Sequence, residues 1–243
     1  MPTLRPSANL LCSCFLRLLT LALMLGASAD ALAEPYVPPA GLGAPGRRES
    51  AGTRGCGFGN PANLIALLPP ENIGLTTTAY PTFYWYMPTS QAQFVEFTLT
   101  ATGSKDDAIA PLYSTRFTVT GEAGIARLQL PEMASLPSLE AGIRYRWQVK
   151  IFCNPESVDG DLQIAGWVQY EPPTEGLRTA LAAASASDRV TLYAYNGYWF
   201  DTVNQLANLP AGATKDPGWQ ARWAELLTSV DLNHVIGQPF IAP

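Results

Sequence analysis

The sequence predicts a β-rich protein, an immunoglobulin- or fibronectin type III-like β-sandwich followed by a small α-helical region. Residues 145–153 alternate apolar and polar side chains, the pattern of a strand with one buried and one exposed face. Seven segments of strand character occur within about 110 residues, the number and spacing typical of such a sandwich. After Pro172 and Pro173 the apolar residues change to helical spacing.

The first 33 residues have the features of a secretory signal peptide. Arg5 and Arg17 supply positive charge ahead of an apolar core at residues 18–25. Residues 31–33, Ala-Leu-Ala, then fit a cleavage site. A membrane anchor is the alternative, but the apolar run is short for a span. We expect a protein of the periplasm or the extracellular space, without a transmembrane anchor after cleavage.

Cleavage would remove Cys12 and Cys14 and leave two cysteines, Cys56 and Cys153. In an oxidising compartment two cysteines most simply form one disulfide. It would close a loop of about 100 residues and stabilise the fold by about 4–5 kcal/mol in the chain-entropy model. Two separate buried thiols are the alternative interpretation.

Residues 34–61 form a predicted extended lead-in rich in Pro, Gly and Arg, of which we expect residues 34–46 to be mobile. It contains Arg47, Arg48 and Arg54 among small residues. One interpretation is a clamp for an anion or carboxylate, because guanidinium groups match planar acids. The preferred one is a loop laid over the sandwich and held by Cys56 and structural ion pairs.

The predicted sandwich covers residues 62–172, and its strands end mostly at Pro or Gly. The predicted strands are 63–68, 82–87, 93–99, 113–119, 125–130, 145–153 and 161–170. Trp85 and Trp147 fall on apolar faces and are expected in the core. Tyr84, Tyr86 and Trp167 fall on opposite faces, as candidates for an exposed aromatic platform unless the C-terminal part covers them.

The predicted helical region covers residues 173–243. Its first segment, 177–186, is alanine-rich. Asp188 is the predicted N-cap of the next helix and Asn196-Gly197 its C-terminal end. A helix at 198–209 follows, and a last helix begins at Asp216-Pro217. The helices about Tyr193-x-x-x-Gly197-x-Trp199 look like the inner half of one tetratricopeptide unit, a helical hairpin leaning on the sandwich.

Several motifs along the mature chain carry a family resemblance. They are Gly43-Ala-Pro-Gly-Arg47-Arg48-Glu49, Gly52-Thr-Arg54-Gly-Cys56, Pro81-Thr-Phe83-Tyr-Trp85-Tyr86, Tyr145-Arg-Trp147, Cys153-Asn-Pro155, Gly166-Trp167 and Tyr193-x-x-Asn196-Gly197-x-Trp199-x-Asp201. Together they resemble a cyanobacterial family, domain-of-unknown-function family 928. The resemblance implies export to the periplasm and a non-enzymatic role, and it brings no known activity.

Candidates for catalysis and metal binding are few. His234 is the one histidine, and no G-x-S-x-G motif accompanies it. Asp159-Gly160-Asp161 with Glu156 is the best calcium candidate, but it lacks a complete calcium-loop pattern, and a plain hairpin turn is the preferred interpretation. We expect no metal, no cofactor and no catalytic residue.

The sequence supports three alternative hypotheses about function. The first is a periplasmic interaction or scaffold module that holds a protein partner. The second is a module that binds carbohydrate or an envelope polymer through surface aromatics, and the third is a hydrolase of unrecognised type. A formal net charge of −5 argues against a nucleic-acid partner.

Overall fold

A computed structural model describes residues 36–49, 64–102, 111–133, 136–154, 156, 162–208 and 217–241. All of them lie in one compact unit, residues 33–243. The described strands are β1 (Ile65–Ala66), β2 (Ile73–Thr76), β3 (Thr82–Met87), β4 (Phe94–Ala101), β5 (Tyr113–Thr118), β6 (Gly124–Gln129), β7 (Arg144–Phe152) and β8 (Leu162–Tyr170). The described helices are α1 (Glu175–Ala183), α2 (Ala186–Tyr195), α3 (Trp199–Ala207), α4 (Pro217–Ser229) and a 3-10 helix (Asn233–Val235).

The strands form two sheets. The smaller has the order β1-β3-β6 and is antiparallel. The larger has the order β2-β8-β7-β4-β5, in which β2 runs parallel to β8 and all other pairs are antiparallel. The prediction of a strand at 145–153 is confirmed by β7, which lies at the centre of the larger sheet between β4 and β8.

Aromatic side chains join the two sheets in the core. The ring of Phe83 on β3 lies 4.9 Å from that of Phe97 on β4 and 5.5 Å from that of Trp147 on β7. Trp85 and Trp147 are fully buried, as predicted. Each such ring pair adds about 0.5–1.5 kcal/mol to the stabilisation from buried area.

The sequence pattern did not predict β2, which is four residues long and contains Gly74. A Cβ at Gly74 would lie 2.9 Å from both the Phe200 ring and the Cβ of Trp199. Glycine therefore allows α3 to approach the backbone of this strand closely.

Side-chain caps mark the starts of α1 and α2. Thr174 accepts a hydrogen bond from the N–H of Leu177 at the start of α1, and Ser185 accepts one from the N–H of Asp188 at the start of α2. The prediction that Asp188 is the N-cap is therefore wrong. Ser185 is the cap, and Asp188 lies three residues further on and accepts from its hydroxyl.

Other helix ends agree with the prediction. The C-cap of α2 is Asn196, and Gly197 follows it with φ +78°. Pro217 is the first residue of α4.

Besides its contact with β2, α3 packs against the smaller sheet, and so do the last described residues of the chain. The hydroxyl of Tyr84 on β3 donates to Oδ1 of Asn204 on α3, at 2.8 Å. Along β6, the N–H of Ile125 donates to Pro239 O (2.8 Å), and the N–H of Ile241 donates to Ile125 O (3.0 Å). The end of the chain thus extends the β6 edge by a short parallel bridge.

Residues 36–49 contact the rest of the chain at several points, although most of their side chains are exposed, and the mobility of the lead-in stays a prediction. Tyr36 is buried, with its ring edge-on to Trp199 at 4.9 Å and its hydroxyl donating to Gly197 O. The N–H of Ala66 donates to Arg48 O at 2.8 Å. An aromatic contact and backbone hydrogen bonds thus join to the rest of the chain a segment whose composition alone indicates a linker.

Candidate functional site

The structure separates the predicted arginines. Arg47 is exposed. The guanidinium of Arg48 is half-buried and donates to the carbonyls of Leu68 (2.8 Å), Val230 (2.5 Å) and Asp231 (3.3 Å). Burial lowers its pKa from the ordinary value. Arg48 therefore holds chain segments together and does not present a free clamp for anions, while Arg54 lies outside the described residues.

The predicted exposed platform of Tyr84, Tyr86 and Trp167 is not formed. Tyr84 and Tyr86 are 2% and 8% exposed, because the C-terminal part covers this face of the smaller sheet. Burial raises the pKa of the Tyr84 hydroxyl to about 12. Trp167 lies on the other sheet and donates from Nε1 to Pro45 O, at 2.9 Å.

Several other candidates lie at or beyond the limits of the described chain. Cys153 follows β7, but Cys56 lies outside the described residues, so the disulfide stays a prediction. Asp159 and Asp161 lie outside as well. In the part of the chain that the structure describes, no three His, Cys, Asp or Glu residues are grouped as a metal site. His234 is exposed in the 3-10 helix.

One concave feature of the described chain is a groove of about 500 Å³, called here the aromatic groove. It lies between the end of α3, one face of α4 and the C-terminal segment. The residues that line it are Leu206, Ala207, Trp219, Gln220, Trp223, Ile236, Gly237, Gln238, Pro239 and Phe240. Among these described lining residues none is charged.

Two helix positions and one strand-like segment build the groove. Trp219 and Trp223 are four residues apart and so share one face of α4. The ring of Phe240 lies 5.6 Å from that of Trp223 and is 43% exposed. Its position follows from the backbone pairing of its neighbours, Pro239 and Ile241, with β6.

Arg222 fixes α4 against α2. Its guanidinium donates to the hydroxyls of Ser187 and, at 2.9 Å, Thr191. Its Cζ also lies 5.5 Å from the ring centroid of Trp219, within the range of a cation–π contact. The packing of α4 against α2 therefore holds Trp219 and Trp223 in place.

A second, polar cleft of about 270 Å³ lies beside the N-terminal half of α3 and is called here the Asp201 cleft. The carboxylate of Asp201 accepts hydrogen bonds from the N–H (2.9 Å) and Oγ1 (2.5 Å) of Thr77. Burial raises the pKa of this carboxyl, and the hydrogen bonds from Thr77 partly offset that effect. The other lining residues are Thr76, Thr78, Tyr80, Pro81, Thr82, Gln129, Tyr193, Phe200 and Asn204.

Sequence reasoning missed both concavities. It placed Trp219 and Trp223 on a helix, and their spacing was a signal for an aromatic face. It had no means to bring Phe240 beside them, because that contact depends on the pairing of the chain end with β6. Asp201 and Thr77 are 124 residues apart in the sequence, so their contact also depends on the tertiary fold.

The fold and its groove define a β-rich protein of two sheets with a C-terminal helical layer. The chain belongs to the family described as Domain of Unknown Function (DUF928), whose model matches residues 49–240. No curated protein and no solved structure matches the chain.

Proposed function

We propose that this protein is an exported, non-enzymatic interaction module whose aromatic groove holds an uncharged, apolar segment of a protein partner. The observation that carries the proposal is a groove of about 500 Å³ with Trp219, Trp223 and Phe240 in its walls. Ligand sites commonly measure about 300–1,000 Å³ and are lined mainly by apolar and aromatic side chains. Tryptophan is also enriched among the residues that dominate binding energy at interfaces.

The groove's lining favours an extended peptide as the occupant. A charged ligand would lose hydration without gaining an opposite charge from the described lining residues. The amide of Gln238 belongs to a residue type that both donates and accepts, which matches the donors and acceptors of a peptide backbone. Extended, proline-containing segments dock into aromatic-lined grooves by this kind of contact.

Selection from a library of random twelve-residue peptides on the immobilised mature protein tests the proposal. We expect enrichment of uncharged apolar peptides, with affinities measured by calorimetry. Trp219→Ala and Phe240→Ser should each weaken binding at least tenfold. Tyr195→Ser is the matched control, because Tyr195 is 61% exposed and does not line the groove. Absence of enrichment, or equal loss in the control, would contradict the proposal.

We also propose that the two sheets are a fibronectin type III-like sandwich and that α2 and α3 form a tetratricopeptide-like hairpin. The strand orders β1-β3-β6 and β2-β8-β7-β4-β5 support the first part. So does the hydroxyl of Tyr145 near the start of β7, which accepts a hydrogen bond from the N–H of Glu140 (3.0 Å), the contact of a tyrosine corner. Edge-on packing of Tyr193 against Tyr198 at 6.4 Å supports the second.

Export and the Cys56–Cys153 disulfide belong to the same proposal. None of the helices in the described ranges is long and apolar enough to cross a membrane. The support for export is the signal-like segment at residues 1–33. Mass spectrometry of the periplasmic fraction without reductant should find a chain that begins at Glu34 and has a Cys56–Cys153 bridge.

A further inference from the structure

The Asp201 cleft differs in chemistry from the aromatic groove and does not share its tryptophans. Hydroxyl, amide and carboxylate groups line it, from threonines, Asn204, Gln129 and Asp201. Tyr80 and Tyr193 add aromatic rings to the same lining. We propose that this cleft binds a polyhydroxylated ligand, one sugar ring of a glycan.

The polar groups of the cleft are already oriented. Asp201 is held by two hydrogen bonds from Thr77, and the hydroxyl of Thr76 and its own backbone N–H add to them. Oδ1 of Asn204 accepts from the hydroxyl of Tyr84 (2.8 Å) and from Nδ2 of Asn208 (2.6 Å). The amide donor of Asn204 and the polar groups of Thr82 and Gln129 are complementary to sugar hydroxyls, which donate and accept.

Size and charge narrow the class of ligand. A volume of about 270 Å³ lies just under the range of about 300–1,000 Å³ for drug-sized ligands, so the cleft suits one ring better than a long chain. No cationic side chain is among the described lining residues, which disfavours phosphates and carboxylic acids, because such ligands would lose hydration without gaining an opposite charge. Tyrosine rings offer an apolar surface to the C–H face of a sugar. A small organic cation is the competing ligand.

Saturation-transfer NMR on the mature protein tests this inference with a panel of free sugars: glucose, galactose, mannose and N-acetylglucosamine. We expect transfer to at least one sugar. Gln129→Ala and Thr82→Val should weaken it at least fivefold, because each removes a polar group of the cleft. Neither residue makes a side-chain hydrogen bond to another described residue, and a thermal melt of each variant checks the fold.

Phe240→Ser is the cross-control, since it should abolish peptide binding in the aromatic groove and leave sugar binding unchanged. Failure of the peptide proposal can thus be told apart from failure of this one. Binding of methylammonium but of no sugar would overturn the inference in favour of a cation site. No transfer to any sugar, or equal transfer in the Gln129→Ala and Thr82→Val variants, would also overturn it.

Discussion

At the scale of single residues, Asp201 links α3 to the segment after β2 through a carboxyl that folding makes harder to ionise. Burial raises its pKa above the ordinary 3.8, and this outweighs the hydrogen bonds from Thr77. The folded chain therefore keeps this proton at pH values where the unfolded chain has released it. The part of the free energy of unfolding that comes from the Asp201 carboxyl is fully present below its pKa in the unfolded chain. It falls as the pH rises through its pKa in the folded chain.

Asp201→Asn should remove this pH dependence, since asparagine can still accept from the N–H of Thr77 but does not titrate. Urea midpoints measured from about pH 4 to 7 should fall less steeply in the variant than in the wild type. Glu132→Gln, at an exposed carboxyl without a described side-chain hydrogen bond, is the control. An unchanged slope in Asp201→Asn would show that this carboxyl does not titrate in the expected direction.

At the scale of secondary-structure elements, Gly74 decides how closely α3 packs on β2. Gly74→Val would place atoms within 3 Å of the Phe200 ring and the Cβ of Trp199, so α3 must shift. We expect a loss of about 1–3 kcal/mol in the free energy of unfolding, the usual cost of overpacking. Urea denaturation followed by tryptophan fluorescence measures it.

Gly176→Ala is the matched control for that variant. Gly176 lies in the first turn of α1, and a Cβ there would meet nothing within 4 Å. Since alanine restricts the unfolded chain without strain, we expect a gain of about 0.4–1 kcal/mol. Equal losses at both glycines would contradict the packing argument for Gly74.

The sequence predicts best those elements in which the spacing of apolar and polar residues repeats many times. β7 alternates over nine residues, so its face and position follow from the side chains alone. β2 has four residues, with a threonine and a glycine among them, and its place depends on pairing with β8. Asp188 and Ser185 are both suitable N-caps, and only backbone geometry distinguishes them.

At the scale of the whole molecule, the sequence predicts that strands are followed by helices along the chain. It does not predict which faces of the sheets and helices pack together. The alternation of their strand makes Tyr84 and Tyr86 candidates for an exposed platform, unless the C-terminal part covers them. The helical region covers them, and that docking is tertiary information. The aromatic groove and the Asp201 cleft arise from the same docking, so neither can be predicted strand by strand or helix by helix.

Arg48 holds three distant parts of the chain together, and its neighbour Arg47 provides an internal comparison. The Arg48 guanidinium joins the N-terminal segment to Leu68 and to the residues after α4. Arg48→Met keeps much of the side-chain volume but leaves these carbonyls without a donor, so we expect a loss of about 1.5–3 kcal/mol in urea denaturation. Arg47→Met should change stability by less than about 0.5 kcal/mol, because Arg47 is exposed. Equal effects of the two substitutions would mean that the segment is held by Tyr36 and backbone pairing alone.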